Sequence, residues 1–171
     1  MAGAVALSTL IERGGVYYNI AGSSAAEVLR EGIRGLSLPR EVDKEKLLTA
    51  VLEREALMPT AIGHGVAIPH PRNPIITDSG AQRVAVLFLK TPVPYEALDR
   101  KPVSVLFLIL SSEAKSHLAV LSSLSHLCQR RDFLELLEDR PSTQELTTFI
   151  RKAEEEWKGG VAKSGASSIT G

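Results

Sequence analysis

The hydrophobic positions fall into two kinds of stretch. Near-continuous apolar runs, Val84–Leu89 (VAVLFL) and Val103–Leu110 (VSVLFLIL), read as strands buried on both faces, which calls for helices above and below one sheet. A shorter β-prone run, Val16–Ile20, stands alone near the start. Helical periodicity marks the other stretches. Ser24 with Glu27 forms a capping-box pattern ahead of Val28, Leu29 and Ile33, with a stop near Gly35. Asp43 opens a second helix whose stripe is Leu47, Leu48, Val51, Leu52 and Ala56. In the last third, Ser116 is expected to cap a helix carrying Leu118, Leu121, Leu124 and Cys128. A short helix follows at about Asp132–Glu138, and Ser142 caps a last one ending near Trp157. Residues 1–158 are thus expected to form a single α/β domain, and 159–171, rich in Gly, Ser and Ala, a flexible tail. The GxGxxG signature and strict strand–helix alternation of a Rossmann domain are missing.

Composition narrows the function. The 171 residues carry 20 Lys plus Arg against 20 Asp plus Glu, and no basic stripe stands out, which disfavours nucleic-acid binding. Cys128 is the one cysteine, so an internal disulfide and a Cys-rich zinc site are both excluded. Met1–Leu10 is a poor signal peptide, and the longest apolar run falls far short of the roughly 20 residues that span a bilayer. The expectation is a cytoplasmic protein, peripheral to a membrane at most.

The stretch Ala56–Pro71 is free of charged residues yet holds His64, His70 and a cluster of Gly and Pro. His70 stands between Pro69 and Pro71, which stiffen the backbone on both sides and suit a nucleophile or ligand held in one orientation. Read locally, the same tripeptide is also simply a turn with an exposed histidine. His117 is placed at the first helical position after Ser116, where unpaired amides make an anion site and the helix dipole disfavours imidazolium. A capping histidine is the alternative there. His126 lies about 180° around that helix from His117 and reads as a packing or surface residue. Arg54 and Arg72 flank the stretch; a guanidinium suits phosphate, and Arg54 equally suits a helix C-terminus. A metal site from His64, His70, His117 and Cys128 lacks compact ligand spacing, and no GxSxG elbow supports a hydrolase; Ser112 and Ser116 read as turn and cap residues.

Taken together, Leu52-Glu-Arg-Glu-Ala-Leu57, Thr60-Ala-Ile-Gly-His-Gly-Val-Ala-Ile-Pro-His70, Ala97-Leu-Asp-Arg-Lys-Pro-Val103 and His117-Leu-x-x-Leu-x-x-Leu124 resemble the enzyme IIA domain of the fructose/mannitol type. These are phosphocarriers of the bacterial phosphoenolpyruvate-dependent phosphotransferase system. The resemblance spans about Leu7 to Lys158. It implies a three-layer α/β/α fold with a mixed sheet in the order β-α-α-β-β-β-α-α-α. It also implies that His70 accepts the phosphoryl group, that His117 supports it and that Arg54 lies nearby. The donor would be the phosphocarrier HPr or its nitrogen-branch relative, docking on the apolar surface of Leu57–Ile68, with no cofactor or metal. His64 departs from the asparagine usual in the family and, as a neighbour of His70, would modulate transfer. Pro59 departs likewise from a small residue.

Lacking a fused IIB, IIC or HPr segment, the chain is expected to be the nitrogen-regulatory kind, whose phosphorylation controls partner binding. The alternatives are a sugar-specific IIA that relays phosphate to a fructose- or mannitol-type IIB, and a binding module that works without phosphorylation.

Overall fold

In the computed structural model, which describes residues 5–168 and the side chains of 5–158, the chain builds a mixed five-stranded sheet between two helical layers. The elements run α1 (Leu7–Gly14), β1 (Val16–Ile20), α2 (Ala25–Arg34), α3 (Lys44–Leu57), β2 (Ala61–Gly63) and β3 (Val66–Ala67). After them come β4 (Arg83–Val93), β5 (Val103–Leu110), α4 (Ala114–Leu127), α5 (Arg131–Glu138) and α6 (Thr143–Ser168). The strand order is β1-β4-β5-β3-β2. Within it β1 is parallel to β4, β4 antiparallel to β5, β5 parallel to β3 and β3 antiparallel to β2.

Both long strands are buried on both faces, as their apolar runs require. Val84, Val86, Phe88, Val105, Phe107 and Ile109 pack into the layer of α1, α4, α5 and α6. The alternate residues Ala85, Leu87, Leu89, Leu106 and Leu108 meet α2 and α3. The period-2 alternation of a strand sends each neighbour to the opposite layer, so an uninterrupted apolar run feeds two cores at once. No helix of the described residues is long and apolar enough to cross a membrane.

The observed order differs from the expected one at several points. Helix α1 was not anticipated. Its apolar side Leu7, Leu10 and Ile11 is legible, but Ala6 makes no side-chain cap; instead the Glu154 carboxylate of α6 accepts from the Leu7 and Ser8 amides at 3.1 and 3.3 Å. The charge-poor stretch supplies two short strands rather than one. Pro92 lies inside β4, at a break in the β4–β5 register between Phe88 and Val93, where a proline removes no regular rung. Helix α4 begins at Ala114, not after Ser116; Glu113 is its N-cap residue, and the Ser116 hydroxyl donates to the Glu113 carboxylate at 3.1 Å. Helix α6 continues past Trp157 to Ser168, since glycine at 159 and 160 weakens a helix without breaking it as proline would. Residues 169–171 of the expected tail lie outside the described residues.

The caps at Ser24, Asp43 and Ser142 form as read. Their side chains accept from the amides of Glu27 (3.2 Å), Glu45 (2.9 Å) and Glu145 (3.1 Å). Glu27, however, closes its half of the box on the Ser23 amide and hydroxyl, at 2.7 and 2.8 Å.

At Gly14 a Cβ would stand 2.0 Å from the Val84 carbonyl oxygen, so α1 touches β4 backbone to side-chain-free backbone. Gly14→Ala is therefore expected to lower stability by about 3 kcal/mol, the upper end of ordinary overpacking. The midpoint of a denaturant titration against the parent measures it, and a loss under about 0.5 kcal/mol, the scale of a neutral surface change, would contradict this packing.

Candidate functional site

The parallel pairing of β3 with β5 builds the site. Gly65 accepts from the Ser104 amide at 2.9 Å at one end of this pair, and Pro69 from the Ile109 amide at 3.0 Å at the other. The chain thus leaves the sheet at His70 beside the end of β5, where the turn into α4 begins. Two segments distant in sequence, Pro69-His70-Pro71 and the start of α4, meet at one edge. The His70 and His117 rings lie 4.3 Å apart between centroids, tilted by 56°.

His70 is buried, with 7% of its surface exposed, which answers the alternative of an exposed turn. Its Nδ1 lies 2.7 Å from the Ile68 carbonyl oxygen. A carbonyl only accepts, so Nδ1 carries the proton and Nε2 keeps the lone pair. Ile68 precedes Pro69, whose ring fixes the extended geometry that aims this carbonyl. Burial pushes the His70 pKa below the usual imidazole value; the Ile68 hydrogen bond opposes this and the Arg54 charge adds to it. The ring is neutral at pH 7 and nucleophilic at one atom.

His117 is half-buried and its pKa is lowered to about 4, first by burial and then by the neighbouring His70 and Arg54. It is the fourth residue of α4, not the first, and its own amide is already bonded to the Glu113 carbonyl at 3.2 Å. Its neutrality is therefore explained by burial and neighbours rather than by the helix dipole. The amides of Ala114, Lys115 and Ser116 remain at the helix start without intrahelical acceptors. A cleft of about 170 Å³ joins this start to Arg72, Asn73, Ile75 and His117.

Arg54 takes up the helix C-terminal role and lies close enough for its charge to act on the histidine pair. Its guanidinium donates to the Met58 carbonyl at the end of α3, at 2.8 Å, and its charge reaches both histidines. Arg72 is exposed on the rim of the cleft. His126 stacks on Trp157 at 4.9 Å, a packing role as expected.

His64 is not where the sequence suggested. It sits exposed in the β2–β3 turn, with φ of 57° between Gly63 at 92° and Gly65 at 78°. Its amide donates to the Asp99 carboxylate at 2.8 Å. The turn precedes β3 and His70 follows it, so the two histidines lie at opposite ends of that strand. The left-handed turn explains the residue type: asparagine and histidine are among the few non-glycine residues enriched there. Cys128 is buried in the core of the α4 layer and burial pushes its thiol up to about 12. The four-residue metal set weighed from the sequence is not assembled, and among the described residues no three His, Cys, Asp or Glu side chains gather around one point.

Sequence reasoning missed Glu55. Its half-buried carboxylate accepts from the Thr60 amide and hydroxyl at 2.7 and 2.8 Å, beside the buried Tyr95 hydroxyl. The spacing Glu55 to Thr60 was visible, but a helix carboxylate that anchors a loop residue five positions on carries no distinctive pattern.

A neutral, oriented imidazole beside a second neutral imidazole, a guanidinium and free helix amides is a set suited to receiving and steadying an anionic group. The chain belongs to the phosphoenolpyruvate-dependent sugar phosphotransferase system EIIA 2 family, whose model matches residues 9–153. Its members are phosphotransfer components. Within it the chain is 33% identical over 152 residues to the nitrogen regulatory protein of Pseudomonas aeruginosa, covering 85% of this chain and 95% of the relative. It is 31% identical over 117 residues to the fructose-specific EIIA component of Haloferax volcanii, covering 66% and 73%. Among solved structures, nitrogen regulatory protein IIA-Ntr from Neisseria meningitidis superposes with a TM-score of 0.73 at 26% identity, covering 84% of this chain and 97% of that one.

The His117 shift has a consequence for stability. Its folded pKa lies below the ordinary 6.5, so the unfolded chain binds the proton more readily. The contribution is complete above about 6.5 and is lost as pH falls towards about 4. Denaturant midpoints measured from pH 7.5 to 4 are expected to fall more steeply for the parent than for His117→Gln. Parallel curves would mean that the fold does not hold this ring neutral.

Proposed function

We propose that His70 accepts a phosphoryl group at Nε2 from a phosphohistidine of HPr or of a nitrogen-branch HPr relative, and that its phosphorylation state governs binding to partner proteins. The observation that carries this reading is the 2.7 Å contact between His70 Nδ1 and the Ile68 carbonyl, which leaves Nε2 as the free lone pair. The N–P bond to Nε2 forms as the donor's N–P bond breaks, and that electron pair returns to the donor ring. The positive charge that develops on the His70 ring is met by the Ile68 carbonyl at Nδ1–H. His117, as a neutral ring, donates to a phosphoryl oxygen; Arg54 and the α4 amides balance the remaining charge. No cofactor or metal takes part in these steps.

The donor's docking surface differs from the one read off the sequence. Val66–Ile68 are buried in the sheet, whereas Leu57 and Met58 at the end of α3 and Leu118 beside His117 are exposed. Ile75 lines the cleft beside His117, and together these exposed side chains offer apolar surface of the kind that interfaces use at their centre. A cytoplasmic site of action fits a partner set of this kind.

The relatives named nitrogen regulatory protein support the regulatory role. A fructose-specific relative at 31% identity supports the second reading, relay to a IIB domain. The two separate on one assay: a fructose- or mannitol-type IIB strips phosphate from a relay protein and leaves a regulator loaded.

Intact-mass spectrometry after incubation with phosphoenolpyruvate, enzyme I and HPr, or the nitrogen-branch carrier, is expected to show one acid-labile phosphoryl adduct. His70→Ala should show none. His117→Ala should load about 10²–10³-fold more slowly, the scale of losing one positioned donor. His64→Asn, remote from the pair, should load within about twofold of the parent. Absence of the adduct with a competent donor set would favour a module that binds without phosphorylation.

A further inference from the structure

We propose that Glu55 is a positioning residue for His70, acting through Thr60 and Ile68. The inference rests on the reading of His70 as phosphoryl acceptor. Four hydrogen bonds form one continuous chain. The Glu55 carboxylate takes the Thr60 amide at 2.7 Å and its hydroxyl at 2.8 Å. The Thr60 carbonyl takes the Ile68 amide at 3.1 Å. The Ile68 carbonyl takes the proton of His70 Nδ1 at 2.7 Å.

Each link has a physical reason to matter. Thr60 is buried, at 5% exposure, and its rung to Ile68 continues the β2–β3 pairing beyond Ala61 and Ala67. That pairing is very short, three residues against two, so the rung is a large part of what holds Ile68 in place. Pro69 has no amide hydrogen to offer, so the next anchor after Ile68 is the Pro69 carbonyl, which accepts from the Ile109 amide at 3.0 Å. Glu55 fixes Thr60 by both polar groups, a two-point clamp that an ionised carboxylate makes with acceptors alone. Burial raises the carboxyl pKa, and the two Thr60 bonds work against that rise, which keeps the clamp matched to its partner. The Tyr95 side chain, 3% exposed, packs against the same pair. Loosening the clamp frees the Ile68 carbonyl. The His70 proton then divides between Nδ1 and Nε2, and a ring protonated at Nε2 has no lone pair there to attack phosphorus.

The test is made on the full chain with Glu55→Ala, Glu55→Leu and Glu55→Gln. Leu keeps helix propensity and bulk, so it decides the matter where Ala does not fold. Gln keeps one acceptor for the Thr60 amide and one donor for its hydroxyl, and serves as the conservative rescue. Long-range ¹H–¹⁵N spectra of the His70 ring read the tautomer directly, and mass spectrometry reads the rate of phosphoryl loading from HPr. In the parent and in Glu55→Gln, Nδ1 should show the shift of a protonated nitrogen and Nε2 that of a bare one. In Glu55→Ala or Glu55→Leu the two shifts should move towards each other. Loading should slow about tenfold or more at saturating donor, with the donor KM within about twofold, as misplacement of a reacting group predicts. Unchanged ring shifts in a folded variant, whatever its loading rate, overturn the proposal, because a merely structural role would lower stability and leave the tautomer alone. Should the parent take no phosphoryl group, the proposed function fails, and the ring spectra still decide whether Glu55 sets the tautomer.

Discussion

The site depends on one pairing, the parallel alignment of β3 with β5. Parallel strands end at the same edge of a sheet, and the loops that follow them are therefore neighbours however far apart they lie in the chain. The last rung, Ile109 to Pro69, delivers His70 to the place where β5 turns towards α4, and α4 carries His117. An antiparallel alignment of the same two strands would send His70 to the far end, where His64 now stands. Strands β4 and β5, buried on both faces, supply the stiffness that makes this alignment a fixed one.

Burial then sets the chemistry. Both histidines are taken far enough from water that their charged forms are disfavoured, and Arg54 adds a positive charge that pushes the same way. Under the proposed function, a site that first holds a bare lone pair and later a phosphoryl group with two negative charges gains from this arrangement. The neutral rings are the ready state, and the guanidinium and helix amides are already in place for the anion. Nothing in that logic needs a metal. The backbone contributes alongside the side chains, since the Ile68 carbonyl holds the Nδ1 proton and leaves Nε2 as the bare nitrogen.

The surroundings separate two tasks at opposite ends of β3. The His70 end holds the histidine pair proposed to carry the chemistry. The His64 end is a left-handed turn pinned by Asp99, and its unusual residue is a matter of backbone conformation. Proximity in sequence, six residues, made the two histidines look like one constellation; extended chain keeps them apart.

Much of this was determined by the sequence alone. Apolar runs without polar alternation specify a sheet covered on both faces, and Ser24, Asp43 and Ser142 mark helix starts because each cap is a local bond between residues two or three apart. The ordered motif around Pro69-His70-Pro71 carried the family and the histidine proposed as acceptor. Other features depend on partners far along the chain. Helix α1 is capped by Glu154, α4 starts earlier than its serine suggested, and Pro92 is tolerated at a break in the ladder. The His70–His117 contact, the remoteness of His64 and the anchoring of Thr60 by Glu55 belong to the same group. Local bonds are written in local sequence; which strand lies parallel to which, and how deeply a ring is buried, follow from packing the whole chain, and those two facts place the site and set its protonation.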